Sequence, residues 1–267
     1  MGVVLSNIIA IYRRELQSYF VSPLAYAIAG IFWFLSGFIF VSILQLIITD
    51  VAAKDLENQQ YGIPAFIRDV PYEFLQSFLQ WMVLLLLCVL PFLSMALYSE
   101  ERKRGTLELL ATSPITNWAV ALGKLLAVLT WFTTMILPFL VFEAIAIGGT
   151  TPPMSPTIIV LGHIALILLA AAILSLGMFI SSLTNSTILA AILTFTVNIL
   201  LLFFDFITRN IGGAVGEALG HLSLVKQCNN LMQGIFDTSS LILFASYIIL
   251  GIFLTAQSID ALRFQRQ

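Results

Sequence analysis

The chain has 267 residues, of which 60% are hydrophobic and 10% charged, where an ordinary soluble domain carries roughly 45–50% and 25%. A chain this apolar must cover its surface as well as its core with hydrophobic side chains, which excludes a water-soluble fold and makes lipid the solvent. With 12 Lys and Arg against 14 Asp and Glu the net charge is −2, so the basic excess that suits nucleic acid is missing and nucleic-acid binding is excluded too.

Near the N-terminus, Val4, Ile8, Ile11, Leu16 and Tyr19 or Phe20 fall at helical spacing, with Ser6, Asn7, Arg13 and Gln17 toward the other side. The spacing predicts a helix in the plane of the membrane interface, its apolar stripe at the headgroup level and Arg13 and Arg14 left for lipid phosphates or an acidic partner. A positive-inside anchor leading into the first span is the alternative. The first long apolar run starts only after residue 20 and lacks a small-residue cleavage site, unlike a signal peptide.

Crossing a hydrocarbon core of roughly 30 Å takes about 20 mainly apolar residues. Six runs qualify: 24–48, 74–97, 119–147, 157–183, 187–207 and 241–254, the last needing Ser239, Ser240 and Thr255 to reach across. Runs this long and evenly apolar are helices, not the alternating strands of an outer-membrane barrel. Ser22-Pro23, Ser113-Pro114 and Ser155-Pro156 each read as N-cap followed by N1, because serine accepts from a free N–H of the first turn and proline has no N–H to leave unpaired. Pro91 and Pro138 lie inside runs and predict kinks, read either as curvature or as hinges.

Residues 50–73 read as a polar outer loop with Gly62, Pro64 and Pro71. The stretch from Glu100 to Lys124 carries five consecutive charges at a span end, then Gly105, then an apolar face of Leu107, Leu109 and Leu110 before the next helix start. A loop that only turns the chain is short and polar; this one predicts a short surface helix of its own. Glu143 is the acid deepest in an apolar run, where a mid-helix charge costs about 2.5–3.5 kcal/mol. It reads either as part of a transport path or as an acid that is protonated or reaches outward. Residues 209–237, with Gly212, Gly213, Gly216 and Gly220 among small apolar residues, predict a broken or re-entrant helix on the outer side. Asp205 reads as interfacial, and Cys88 and Cys228 as unpaired packing residues.

Orientation follows from the basic residues near span ends. With the N-terminus inside, Arg13, Arg14, Arg102, Lys103, Arg104, Lys124, Arg263 and Arg266 are cytoplasmic, and Lys54, Arg68, Arg209 and Lys226 are outside. This excess predicts both termini in the cytoplasm.

Catalysis finds no foothold in the sequence. Gly123-Lys124 is preceded by Trp118 where a P-loop has its first glycine and followed by Leu125 where it has Ser or Thr, so no ATP site is predicted. His163 and His221 form no zinc helix, and His163 reads as a packed bundle residue. A Gly-x-Ser-x-Gly elbow is absent, and Glu100-Glu101 lacks the arginine of a membrane metalloprotease signature at Gly105.

The run Glu100-Glu101-Arg102-Lys103-Arg104-Gly105-Thr106-Leu107-Glu108-Leu109-Leu110-Ala111-Thr112-Ser113-Pro114, with Gly123-Lys124 further on, resembles the signature of the ABC-2 family of ABC exporter permeases. Arg14-Glu15-Leu16-Gln17-Ser18-Tyr19-Phe20-Val21-Ser22-Pro23-Leu24-Ala25-Tyr26 and Gly234-Ile235-Phe236-Asp237 resemble its gliding-motility-associated branch, the Gld F-subunit type. The resemblance implies an all-α integral membrane fold in one domain over 1–267. It has six transmembrane helices, an interface helix over 1–22, a cytoplasmic coupling helix over 100–112 and outer re-entrant helices over 209–237. It implies a permease subunit that is not itself an enzyme and holds no cofactor, ATP and Mg being bound by a separate ABC ATP-binding subunit.

A second permease chain, identical or homologous, completes such a transporter in the bacterial inner membrane, among membrane lipid. On this resemblance Glu100, Glu101, Arg104, Gly105, Thr106, Leu107 and Leu110 are the ATPase-coupling residues. Glu101 and Arg104 are the candidates for ion pairs with the partner, and Leu107 and Leu110 brace the helix against the bundle. Arg13, Arg14 and Glu15 belong to the interface helix. Ala25, Ala29 and Gly37 offer either a small-residue dimer contact or a lipid-facing surface. A non-transporting anchor that recruits an ATPase remains a rival, as does a motorless channel or scramblase, against which the charged segment argues. Lipid, polysaccharide, peptide and drug cargoes all suit an apolar bundle.

Overall fold

Six helices among the described residues are long and apolar enough to cross a bilayer. The protein, represented by a computed structural model, is described over residues 2–62, 69–107, 116–150, 154–211 and 213–264. Within these, α1 (Gly2–Val21) leads into α2 (Pro23–Tyr61), then α3 (Val70–Ser94), α4 (Ala96–Lys103), α5 (Asn117–Gly148), α6 (Pro156–Leu183), α7 (Thr187–Ile211), α8 (Gly213–Gly220), α9 (Leu224–Met232) and α10 (Thr238–Phe264). The regular structure is all α-helical, as the apolar runs predict.

Helix starts follow the sequence signals. Ser22 sits in extended conformation before Pro23 and its Oγ accepts from Ala25 N at 3.4 Å. Ser155 occupies the same position before α6 without a side-chain bond. Ser113-Pro114 lies outside the described residues, as do Leu110, Pro64, Arg68, Gly212 and Arg266. The expected outer loop over 50–73 needs correction at both ends, because α3 already begins at Val70 and α2 continues through residues 50–61, stopping only at Gly62, whose φ of 63° no β-carbon tolerates well. Polar residues there mark the exit from lipid but not from the helix. Ala52, Ala53, Lys54, Leu56, Glu57, Gln59 and Gln60 are helix formers, and Lys54 pairs with Asp50 one turn back at 3.0 Å.

Pro91 deprives the Leu87 carbonyl of its intrahelical donor. Asn198 of α7 replaces it, Nδ2 donating to Leu87 O at 2.8 Å. Four residues beyond Pro91 the helix breaks at Met95, and α4 begins without a side-chain cap of its own. Ser181 of α6 caps it from outside: Oγ accepts from Tyr98 N at 3.1 Å and Ser99 N at 3.0 Å and donates to Met95 O at 2.7 Å. In return, Arg102 Nη1 donates to Ser182 O in the last turn of α6 at 2.6 Å, where a cation meets the negative end of a helix. At Pro138 the neighbouring Met135 carbonyl accepts from Trp33 Nε1 at 2.8 Å.

The central helix is α6, which packs on α3, α4, α5, α7, α9 and α10. Glycines let its neighbours approach. A β-carbon at Gly177 would strike Ser94 of α3, and one on Gly251 of α10 would lie 2.6 Å from the Ser175 backbone. By contrast α2 and α7 are peripheral, with large apolar side chains such as Phe34, Phe38, Ile188 and Leu200 exposed. Ala25 and Ala29 are not part of that outer surface. Both are buried in the chain's own bundle, which removes them from the expected small-residue dimer stripe and leaves Gly37.

At one end of the bundle α5 begins, and both chain ends meet it. Lys124 pairs with Glu15 of α1, and Asn117 Nδ2 donates to Asp260 Oδ1 of α10 at 2.6 Å. At the other end the region 209–237 resolves into the end of α7 and the short helices α8 and α9. Asp205 does more there than sit at an interface. Oδ2 accepts from Arg209 Nε at 2.8 Å, and Oδ1 accepts from Ser223 Oγ at 2.9 Å, the N-cap residue of α9.

Candidate functional site

The expected coupling segment is organised around a buried lysine. Lys124 lies in the second turn of α5, where its ammonium is almost wholly shut away from solvent. Its three donors are all used: Glu15 Oε1 of α1 at 3.2 Å, Glu101 Oε1 of α4 at 3.0 Å and Leu97 O of α4 at 2.9 Å. The Tyr98 ring adds a cation–π contact at 5.0 Å. An ammonium buried at this depth is tolerated only when paired and hydrogen-bonded, so one residue clamps three helices.

Gly123, the residue before it, lets α1 come close enough. A β-carbon there would stand 2.9 Å from Ile11 Cγ2 and 3.2 Å from Ile8 O. About two turns further along α1, Trp131 of α5 collects Phe20 edge-on at 4.9 Å, Tyr26 of α2 edge-on at 5.7 Å and Tyr19 stacked at 6.1 Å. Burial, with the Glu15 carboxylate beside it, raises the Tyr19 phenol above its ordinary pKa and keeps it neutral. The joint between α1 and α2 is thereby fixed to α5.

The predicted coupling residues divide between inside and outside. Glu101 turns inward onto Lys124, so the ion pair expected with a partner is made within the chain. Glu15 does the same, while Arg13 and Arg14 remain exposed. Glu100 and Arg104 are exposed and 3.5 Å apart, a contact worth little at the surface. The helix expected over 100–112 is interrupted. Residues 100–103 are the end of α4, the chain turns at Arg104 and Gly105, where φ is 72°, and helical backbone resumes at Thr106 and Leu107. Thr106 Oγ1 donates to Glu101 O at 3.2 Å, and Leu107 is buried in the core cluster. A cleft of about 490 Å3 opens beside the clamp, with Arg14, Glu100, Arg104 and Thr106 among its lining residues.

Glu143 lies on α5 nineteen residues beyond Lys124, about 28 Å along the axis. It is fully buried, and neither carboxylate oxygen has a hydrogen-bond partner. His163 Nδ1 approaches Oε2 at 3.6 Å but donates to Ile159 O at 3.0 Å. No group of three His, Cys, Asp or Glu among the described residues could hold a metal ion.

Sequence reasoning placed the exposed charges and Leu107 in one segment and grouped Gly123-Lys124 with the family signature, but missed the clamp, giving Lys124 no role beyond that of a basic residue near a span end. A lysine seven residues into an apolar helix was the available signal. Asn198 and Ser181 were also missed, since what they satisfy belongs to other helices.

No curated protein matches the chain. The model of the family described as ABC-2 family transporter protein matches residues 9–252, from within α1 to within α10. With six apolar helices spanning that match, the protein is a multi-pass membrane transport component, and it belongs to the ABC-2 transporter family.

Proposed function

We propose that the chain is the permease subunit of an ABC exporter in the bacterial inner membrane, with both termini cytoplasmic. A separate ABC subunit hydrolyses ATP with Mg, and a second permease chain, identical or homologous, completes the pathway. The gliding-motility branch is the proposed relative within the family, with α1 as the interface helix and α8 and α9 as the re-entrant element.

The observation that carries this reading is the Lys124 clamp. Glu100, Arg104 and Thr106 offer a partner an exposed polar turn, and Leu107 anchors that turn in the core. A push on the turn reaches Glu101, then Lys124, and so moves α1 and α5 with α4. Packed interfaces of this kind switch between discrete arrangements, and the work is supplied by the partner's preference for one of them.

The test reconstitutes the chain with its ATP-binding subunit in vesicles. Arg104→Glu and Gly105→Pro should remove substrate-dependent transport and its stimulation of ATP hydrolysis, with the protein still inserted and monodisperse. Proline cannot adopt the φ of 72°. Undiminished transport by both variants would reject the coupling assignment. Stimulated hydrolysis without any transport by the unmodified complex would favour the anchor reading instead.

A further inference from the structure

At the end of the bundle opposite the clamp, a cavity of about 220 Å3 is lined by Gln80, Arg209, Lys226, Asn229, Asn230 and Gln233. Every one of these side chains is polar, in a chain with 10% charged residues. Two cations and four carboxamides converge on this open cleft, where Gln80, Arg209 and Gln233 are exposed.

The arrangement is built from three elements. Arg209 on α7 is held through Nε by Asp205, which leaves its terminal guanidinium nitrogens free of that pair. Asp205 also accepts from Ser223, and Ser223 caps α9 by accepting from Lys226 N at 3.1 Å. That one carboxylate therefore sets both the Arg209 side chain and the start of the helix that carries Lys226, Asn229 and Asn230. Gln76 of α3 donates to Met232 O at 2.7 Å and brings Gln80, one turn further on, to the same space. The Lys226 side chain passes over Gly220, where a β-carbon would lie 3.1 Å from its Cδ and collide with its ammonium. No described carboxylate pairs with that ammonium.

We infer that this cavity is a binding site for a polyol phosphate, a phosphate ester flanked by hydroxyl groups. Lys226 and the outer guanidinium nitrogens of Arg209 meet the phosphate oxygens, as charge-assisted donors do. The carboxamides of Gln80, Asn229 and Gln233, each both donor and acceptor, take the hydroxyls, together with Oδ1 of Asn230, whose Nδ2 donates to Gln227 Oε1 at 3.4 Å. Asp205 offsets one of the two positive charges, which suits a singly charged diester; a monoester, at about −1.5 to −2 near pH 7, draws on both cations. The volume of about 220 Å3 lies below the roughly 300–1,000 Å3 of drug-sized pockets and matches a single headgroup. The same chemistry is presented by the headgroup of phosphatidylglycerol and by free glycerol phosphate. The inference does not depend on the proposed coupling to an ATPase.

The full chain is placed in nanodiscs of phosphatidylcholine and titrated with glycerol 3-phosphate by calorimetry. A parallel sample in equal phosphatidylcholine and phosphatidylglycerol is examined for retained lipid by native mass spectrometry. Either binding of glycerol 3-phosphate or at least tenfold preferential retention of phosphatidylglycerol is expected, and the arm that responds identifies the source as soluble or lipid. Lys226→Gln and Gly220→Val should each weaken the responding arm at least tenfold, and Lys226→Arg should largely preserve it. Should Lys226→Gln fail to fold by gel filtration and circular dichroism, Asn229→Leu keeps both cations and is expected to lose binding similarly. Silence in both arms, or binding indifferent to the folded variants, overturns the site.

Discussion

Lys124 shows how a single side chain can govern the candidate site. Its ammonium satisfies two carboxylates and a carbonyl while itself buried, and removing one member of such a group leaves uncompensated charge behind. Lys124→Met should lower stability by about 3 kcal/mol, the low end of what breaking a buried pair costs, because Glu15 and Glu101 then face one another. Adding Glu15→Gln and Glu101→Gln should recover most of it, as read by thermal unfolding in detergent. Cys228 gives a second check at this scale. It lies on the buried face of α9, and burial pushes its thiol up to about 12. Thiolate is the reactive form, so in a Cys88→Ser background maleimide at pH 7 should label Cys228 only after denaturation. Of these residues the sequence made only some legible. A run of five charges announces itself, but that Glu101 faces in and Glu100 out depends on Lys124, which lies 23 positions from Glu101 and 109 from Glu15. No local spacing carries that information.

The helices themselves were legible wherever the solvent decides their composition. A lipid-spanning segment must be apolar along its length and must close its own hydrogen bonds, so all six spans could be read from the chain. Their ends were less legible. The transition at Asp50 is one of polarity alone, and only Gly62 stops the backbone. Breaks could be read as sites of proline, whereas their repair could not: Asn198 answers the carbonyl freed by Pro91, and Ser181 caps the α4 that follows. Close helix contact belongs to the same scale. Gly123→Val should push α1 away from α5, since Ile11 and the Ile8 carbonyl already occupy the space. Overpacking of this kind costs typically about 1–3 kcal/mol. Thermal unfolding should shift accordingly, and tryptic cleavage at Arg13 and Arg14 should speed up.

For the whole molecule the main consequence concerns sidedness. Contacts of α5 with Glu15 and Asp260 bring the two ends of the described chain to one end of the bundle, while Arg209 and Lys226 gather at the other. With both native cysteines replaced, a cysteine at Lys103 should resist a membrane-impermeant maleimide in intact cells, and one at Gln60 should react. The reverse pattern would put the coupling turn outside and end the proposed role in ATP-driven transport.

The 39-residue α2 is also a long rod. At 1.5 Å per residue it measures about 58 Å, against roughly 30 Å of hydrocarbon. Its foot follows the Ser22 cap beside the aromatic cluster of Trp131, and Tyr61 at its far tip is exposed. Between the two, Phe32, Ile43 and Ile47 are buried and Phe40 meets Phe74 and Phe78 of α3 edge-on, so the rod is gripped along its apolar length. The protein thus carries a stiff extension of about 15 Å, from Ala52 to Tyr61, past its last packed turn and into the water on one face of the membrane.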